Sequence, residues 1–420
     1  MATTRTFSTM LNEYLTNELL ENEFLDRSWL LQNIEIDKDY NGGTVPVPFE
    51  GNSMSSIKFG SLTADTDVAE ADFQRGTLAG AVEMWGSMLF RHRDIMDGHG
   101  KVKEKSFLDI LPGQVNRFTT WAKEASSTQL VDGPVLATLT ADGTAGGVAA
   151  VDKIDRFQIG QKCTIDDDNS AQADVYVIAV DVNTKQVTVS ASRGGAALDI
   201  SAYTLAQNAK LYHDGVLVGG TVTNAFENLR SILLSSTNGG ASTVHGKTKA
   251  TYPFLQAYNH SGATITAGNI LDKLFDAMTE FRARARGGMP SKLVMSMKNL
   301  GSCMKAIEAQ KGGFKVSVQS QKASQYGWME IEIVQVKGGA ITLVGIVELK
   351  DDVIFGLDLN SMKFMSVGDL FKKRTAPDGK QYFEVRSASA GYSYVLDVSL
   401  YGNLQVQYPG ANFAIHSISY

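Results

Sequence analysis

The stretch RARGGMPSKLVMSMKNLGSCMKAI, residues 284–307, contains the end of one helix, a short apolar strand and the start of a second helix. The strand is KLVMSM at 292–297, and the second helix is predicted over 298–311. The first helix is predicted over 267–286 because apolar residues recur there at helical spacing. These residues are Ile270, Leu271, Leu274, Phe275, Met278 and Phe281.

Three arginines lie at the end of the first helix, and they are interpreted as a helix terminus. They are Arg282, Arg284 and Arg286. Basic side chains in a last turn complement the helix dipole, and Gly287 or Gly288 suits a left-handed cap before Pro290. A phosphate site would instead need a helix N-terminus. An ion pair with another subunit and a nucleic-acid contact remain as alternatives.

Composition favours an ordinary globular protein of two or three structural units. The chain has 420 residues, of which 43% are hydrophobic and 20% charged, with a net charge of −6. This charge argues against a general nucleic-acid binder, which needs a basic surface. Cys163 and Cys303 lie far apart and belong to no metal-binding cluster, so a reducing compartment is expected. No secretory signal or membrane-spanning run is found, so synthesis in the cytoplasm is expected.

No pattern predicts an enzyme, a cofactor or a metal site. The six histidines show no ligand spacing, and no nucleophile elbow is present. GGASTVHGKT at 239–248 approaches a phosphate loop, but Ala241 replaces its first glycine and Pro253 soon follows. We interpret it as a glycine-rich surface loop. The acidic run 166–169 lacks the spacing of a calcium loop and is interpreted as a solvated turn.

Two segments near the N-terminus have no compact partner next to them in sequence. Residues 8–33 are predicted to form an amphipathic helix whose stripe includes Leu11, Leu15 and Trp29. Residues 41–80 are predicted to form an extended hairpin, with Val45, Val47 and Phe49 alternating with Pro46 and Pro48. A lone hairpin is marginal in water, so it is expected to lie on another surface, such as another subunit.

The rest of the chain alternates between helical and strand-rich segments. A helix is predicted after Pro112, with a face that includes Phe118 and Trp121, and it should end near 131–134. Residues 134–220 contain β-branched runs separated by turns and predict an inserted antiparallel barrel or sandwich. A helix is predicted at 223–235, and strands dominate from 314 onward.

This order of segments resembles the major capsid proteins of tailed bacteriophages, which have the Hong Kong 97-type fold. The resemblance lies in residues 284–307, in the closing segment VLDVSLYGNLQVQYPGANFAIHSI at 395–418, and in FTTWAKEASSTQLVDGP at 118–134, which resembles the spine helix. It implies an α+β fold with an N-terminal arm at 1–40, an E-loop at 41–80 and an axial domain at 298–365. The peripheral domain would be 81–133 and 221–297 with 366–420, and 134–220 would be the insertion.

The resemblance implies assembly rather than catalysis. The chain would form hexamers and pentamers of an icosahedral shell that encloses double-stranded DNA without sequence-specific binding. It would belong to the virion, assemble in the host cytoplasm and contact no membrane. Scaffolding, portal and decoration proteins are candidate partners.

Contacts between subunits are expected in the N-terminal arm, in the E-loop and at the arginine-rich helix end. The predicted contact residues are Leu11, Leu15, Val45, Val47, Phe49, Ile57, Lys58, Phe59, Arg282 and Arg286. Some relatives crosslink an E-loop lysine to an asparagine of another subunit, and Lys58 lies in the matching region. No partner asparagine can be assigned, so a shell held by packing alone is expected.

Three other functions remain open at this point. A cellular encapsulin would share the fold and enclose cargo enzymes. Another phage structural protein, such as a tail tube subunit, would form tubes instead of closed shells. A carbohydrate-binding or hydrolase protein would present exposed aromatic residues on the insert, for which Tyr176, Tyr203 and Tyr212 are the candidates.

Overall fold

A computed structural model of the chain divides into two compact units. The barrel unit is Thr120–Asn228, and the main unit is Met1–Thr119 with Leu229–Tyr420. The structure describes residues 28–50, 73–91, 118, 120–167, 172–262, 265, 268–284, 290–309, 315–319, 328–335, 339–370, 372–374, 383–387 and 391–418.

Strands outnumber helices in the described part of the chain. Its α-helices are α1 (Trp29–Asn33), α2 (residues 120–132), α3 (Leu229–Leu233), α4 (Ile270–Arg284) and α5 (Met297–Ala309). Its strands are β1 (Glu35–Asp37), β2 (Val45–Glu50), β3 (Phe73–Leu78), β4 (Val82–Arg91), β5 (Val135–Thr138), β6 (Val148–Ala150), β7 (Lys162–Asp166), β8 (Gln172–Asp181), β9 (Gln186–Ser190), β10 (Lys210–His213), β11 (Leu217–Val218), β12 (Thr221–Val222), β13 (Thr243–Val244), β14 (Lys247–Thr248), β15 (Tyr258–Ser261), β16 (Lys292–Ser296), β17 (Lys315–Gln319), β18 (Trp328–Gln335), β19 (Gly339–Ile346), β20 (Ile354–Leu357), β21 (Met362–Ser366), β22 (Lys372–Lys373), β23 (Phe383–Ser387), β24 (Gly391–Val406) and β25 (Phe413–His416).

The predicted helix–strand–helix passage is confirmed as α4, β16 and α5. Strand β16 lies inside a seven-stranded sheet of order β15-β25-β20-β16-β19-β18-β17, parallel to β19 and antiparallel to β20. The apolar face of α4 is buried in one cluster with side chains of β16, α5 and β25, including Leu274, Phe281, Met295, Cys303 and Phe413. The helical spacing of the sequence therefore marks the buried face.

Close packing around position 356 in β20 requires a glycine there. A Cβ added there would lie 2.2 Å from the Phe413 ring. Overpacking a rigid core costs about 1–3 kcal/mol, so Gly356→Ala should lower the free energy of unfolding of the main unit by that amount. Denaturant unfolding that is monitored on this unit measures the change.

Gly301 in α5 provides the matched control for this prediction. A Cβ added at Gly301 meets nothing within 4 Å. Gly301→Ala should therefore raise stability, by up to about 1 kcal/mol, because alanine favours the helix. Equal effects of the two substitutions would contradict the packing argument.

A second sheet of the main unit is built around the long strand β24. Strand β4 pairs along one edge of β24, from Ser393↔Arg91 to Gly402↔Val82, while β21, β22 and β23 pair along the other edge. Strand β1 adds in parallel to β21. The sequence predicts strands in the closing segment but none at 82–91, so β4 is evident only from the structure.

The barrel unit contains a closed antiparallel barrel. Its strands follow the order β5-β10-β7-β8-β9-β6. Thr140 N–H donates to the carbonyl of Ala150 at 2.9 Å, and Asp152 N–H donates to that of Thr138 at 3.1 Å. These bonds join β5 to β6, the two ends of the order. The sequence is compatible with either a barrel or a sandwich, and these hydrogen bonds show that the sheet closes into a barrel.

Of three local predictions, one needs correction, one agrees with the structure and one lies largely outside the described residues. The helix predicted at 223–235 is limited to Leu229–Leu233, because the N–H groups of Thr223 and Asn224 donate to the carbonyl of Val216. Helix α2 ends before Gly133, whose φ of 95° is left-handed, as the sequence predicted. Of the predicted helix 8–33, only Trp29–Asn33 lies in a described helix.

Candidate interaction surface

Strands β2 and β3 form a two-stranded antiparallel ribbon, which we call the ribbon. They pair from Val45↔Leu78 to Glu50↔Phe73. Val47 and Phe49 are buried and the prolines between them are exposed, so burial alternates along β2 as the residue types do. The predicted hairpin is therefore present at its base, while residues 51–72 lie outside the described part.

The two prolines determine which amides of the ribbon point outward. Pro46 has no N–H, so its pair with Thr77 is a non-hydrogen-bonded pair and the Thr77 N–H points away from β2. His245 accepts this outward N–H with its backbone carbonyl at 2.7 Å. The prolines thus leave one ribbon amide free to bond to the body of the main unit.

A second contact holds the turn before the ribbon. Tyr40 is buried, and its hydroxyl donates to the carbonyl of Gly43. Burial raises the pKa of Tyr40, with the neighbouring Tyr401 adding to the effect, so this hydroxyl stays a donor. Ala81 N–H donates to the carbonyl of Gly42 at 3.0 Å, which ties the two ends of the ribbon segment together.

Strand β4, directly after the ribbon, exposes large apolar side chains on one face. Trp85 is 61% exposed and Leu89 is 51% exposed. The opposite face holds Gly86, whose Cα lies close to the Phe118 ring, since an added Cβ would lie 2.5 Å from it. Two exposed apolar side chains on one strand face make β4 a candidate interaction surface. We call Trp85 and Leu89 the β4 face.

The structure places the predicted contact residues in three groups. Val47 and Phe49 are 0% and 1% exposed because their own chain covers them in this conformation, so their contact with a neighbouring subunit stays a prediction. Val45 is half-buried and Arg282 is exposed on α4, so both remain available. Six residues lie outside the described part or have no described side chain: Leu11, Leu15, Ile57, Lys58, Phe59 and Arg286.

Two features of this surface were missed by the sequence analysis. Trp85 and Leu89 follow a period of two, which is a strand signal, although Met84 and Met88 make the other face apolar as well. The segment 239–248 was interpreted as a surface loop, yet His245 within it is buried. No local signal marks that burial, since the residues that cover His245 are distant in sequence.

The described residues contain no arrangement that points to metal chemistry. No group of three or more His, Cys, Asp or Glu side chains among them could hold a metal ion. Both cysteines are buried and free, and burial raises the pKa of each thiol to about 12, which makes them poor nucleophiles. None of the described helices is long and apolar enough to cross a membrane.

The aromatic residues proposed for carbohydrate binding do not form an exposed platform. Tyr203 packs in the barrel core, and Tyr212 is buried in a smaller cluster with Val216 and Leu217. Tyr176 is half-buried. The barrel uses two of these three rings as core, which removes the feature that would have favoured a carbohydrate-binding function.

Comparison with known proteins gives matches only among solved structures. No family model matches the chain, and no curated protein matches it. The similar structures are capsids. The capsid of cyanophage A-1(L) has 12% identity and a TM-score of 0.45, covering 96% of this chain and 93% of that chain.

Two further capsids show the same level of similarity. The capsid of the native GTA particle has 11% identity and a TM-score of 0.45, covering 94% of this chain and 91% of that chain. The capsid of Myoviridae phage XM1 has 8% identity and a TM-score of 0.40, covering 93% and 92%. These values are low in both identity and superposition.

Proposed function

We propose that this chain is the major capsid protein of a tailed bacteriophage, a structural protein that assembles with copies of itself into an icosahedral shell around double-stranded DNA. One observation carries the proposal: the β4 face presents Trp85 and Leu89 to solvent directly beside the ribbon. Apolar surface gains free energy when it is covered, and in a shell a second copy of the chain covers it.

The main unit supports this proposal through its order of elements. The passage α4–β16–α5 and the long closing strand β24 followed by β25 occupy two of the three stretches in which the sequence resembles the capsid fold. In this assignment the ribbon is the base of the E-loop, residues 28–40 belong to the N-terminal arm, and residues 134–220 of the barrel unit are the insertion. Hexamers and pentamers would be the building blocks, with scaffolding, portal and decoration proteins as further partners.

The net charge of −6 is compatible with a container for DNA. A shell must release its DNA, and a strongly basic lining would hold the phosphates tightly. The proposed shell therefore encloses DNA without reading its sequence, is part of the virion, and is assembled in the host cytoplasm.

Removal of residues 51–72, which connect β2 to β3 in sequence, tests the proposal. The variant replaces residues 51–72 with Asn-Gly, a pair that favours tight hairpin turns, and keeps the buried side chains of Val47, Phe49 and Leu78. We expect a folded chain whose yield of closed shells in negative-stain images falls at least about tenfold, because the contact proposed for the E-loop with a neighbouring subunit is removed.

The full-length chain, imaged under the same conditions, is the reference for this experiment. Circular dichroism of the variant checks that the sheets remain. Normal closed shells from the shortened chain would refute the role of the proposed E-loop in assembly. Tubes from the full-length chain would favour a tail tube subunit, and a chain that stays monomeric at high concentration would refute assembly altogether.

A further inference from the structure

The segment that resembles a phosphate loop in sequence has a different structural role. Residues 243–248 form a tight hairpin, β13–β14, with His245 and Gly246 in its two-residue turn. Their φ angles are 45° and 75°, the left-handed values that such turns require. The turn places His245, at 2% exposed, between the ribbon and the end of β24.

His245 contacts the ribbon and β24 at the same time. Its backbone carbonyl accepts the N–H of Thr77 at 2.7 Å. Its ring stacks on Phe49, with ring centroids 6.0 Å apart and planes 12° apart. The Val406 N–H donates to its Nε2 at 3.0 Å. One residue therefore joins both strands of the ribbon to the last residue of β24.

The bond to Val406 fixes the protonation state of the ring. Because Nε2 accepts a hydrogen bond, the proton of the neutral ring is on Nδ1. Within the described residues Nδ1 has no hydrogen-bond partner. A second proton on Nε2 would face the Val406 N–H and remove this bond. Protonation of the ring therefore weakens the docking of the ribbon base.

We propose that His245 is an acid-released latch that holds the base of the ribbon against β24. The neutral ring keeps the ribbon docked, and the protonated ring releases it. The latch belongs to the single chain, so it stands whether or not the chain assembles into a shell.

No acidic side chain in the described surroundings would stabilise the protonated ring. Arg75 on β3 lies on the exposed face of the ribbon, and Lys247 on β14 places its ammonium 5.6 Å above the Tyr252 ring. Residues 402–406 of β24 carry no charge. Glu50 ends β2, and its side chain lies outside the description. The described charges near the latch are thus positive, and burial of the ring is what opposes its protonation.

The direction of the pH dependence follows from burial. Desolvation lowers the pKa of His245 from 6.5 to about 4 in the docked state. The released ring returns to the ordinary value, so the released state binds a proton between pH 6.5 and pH 4 and the docked state does not. Docking is at full strength above this window. It should weaken by about 20-fold between pH 7 and pH 5 and change little below pH 4.

Amide hydrogen exchange on the unassembled full-length chain tests the latch. Exchange rates of peptides that contain Thr77 and Val406 are divided by the intrinsic rate at each pH, which leaves the protection factor. We expect this factor to fall by about 20-fold from pH 7 to pH 5 in the natural chain, while the Val294 amide in β16 keeps its protection.

Two substitutions separate the latch from general acid destabilisation. Asparagine tolerates left-handed φ and does not titrate, so His245→Asn should make ribbon protection independent of pH. His213 is the other buried histidine with a lowered pKa and lies in the barrel unit, so His213→Asn should leave the response of the ribbon unchanged.

Two results would overturn the proposal. Equal protection of the Thr77 and Val406 amides at both pH values in the natural chain would show that the ring does not control docking, and this result needs no variant. A loss of protection that persists in His245→Asn would assign the acid response to another group. Neither result depends on whether shells form.

Discussion

Replacement of Trp85 and Leu89 by threonine should abolish shell assembly and leave the chain folded. Both side chains are more than half exposed in the single chain, so their removal costs it little packing. Burying a large apolar side chain contributes about 1.5–3 kcal/mol, so each subunit contact should lose about 3–6 kcal/mol, which is at least a hundredfold in the association constant. Threonine retains a high strand propensity in β4.

The measurement is the fraction of chain that sediments as shells over a range of concentrations. Glu83 and Ser87 lie on the same face of β4 and provide the matched control as Glu83→Thr with Ser87→Thr. The hydroxyl of Ser87 donates to Asp397 Oδ1 at 2.5 Å, and threonine retains that donor. If Trp85→Thr with Leu89→Thr sediments as the natural chain does, the β4 face is not a contact between subunits.

Asp132→Ala should unfold the barrel unit under mild denaturation. The Asp132 carboxylate accepts a hydrogen bond from Arg156 Nη2 at 2.6 Å, and both side chains are at most 5% exposed. Arg156 Nη1 also donates to the carbonyls of Val135 and Leu136, at 3.0 and 3.2 Å. Removing one partner of a buried ion pair leaves an uncompensated charge, which costs about 3–5 kcal/mol.

Denaturant unfolding that is monitored on the barrel unit measures this loss, and a second ion pair supplies the control. Lys162 bonds to Asp214 at 2.9 Å and also to Asp174, with all three side chains at least one-third exposed. Asp214→Ala should therefore cost less than about 1 kcal/mol. Asp132→Leu combined with Arg156→Met should recover most of the stability, because no unpaired charge remains. Equal losses from Asp132→Ala and Asp214→Ala would refute the buried-pair argument.

The periodicity of the sequence predicted those helices and strands that bury one face and expose the other. The helical spacing that begins at Ile270 located α4 to within a few residues, and the alternation of apolar residues with proline at 45–49 predicted an extended hairpin segment. Glycine and proline predicted the ends of elements, as at Gly133 after α2. These sequence patterns are reliable because each depends only on residues that are close together in the sequence.

The candidate site was predicted only in part. The ribbon was found, but two of its proposed contact residues, Val47 and Phe49, are covered by the chain itself. Strand β4 was missed because methionines follow its second face, which removes the simple alternation of polar and apolar residues. His245 was placed on the surface because glycines surround it in sequence.

The sequence by itself determined the local elements, the absence of a recognisable catalytic motif and the resemblance that motivates the proposed shell. Only the tertiary structure decided that β4 lies along β24, three hundred residues later in the chain, and that His245 joins the ribbon to Val406. The physical reason is that a side chain's burial in the assembled fold depends on residues distant in sequence. The periodicity of a sequence identifies an apolar face that must be buried, but only the three-dimensional packing shows which residues bury it.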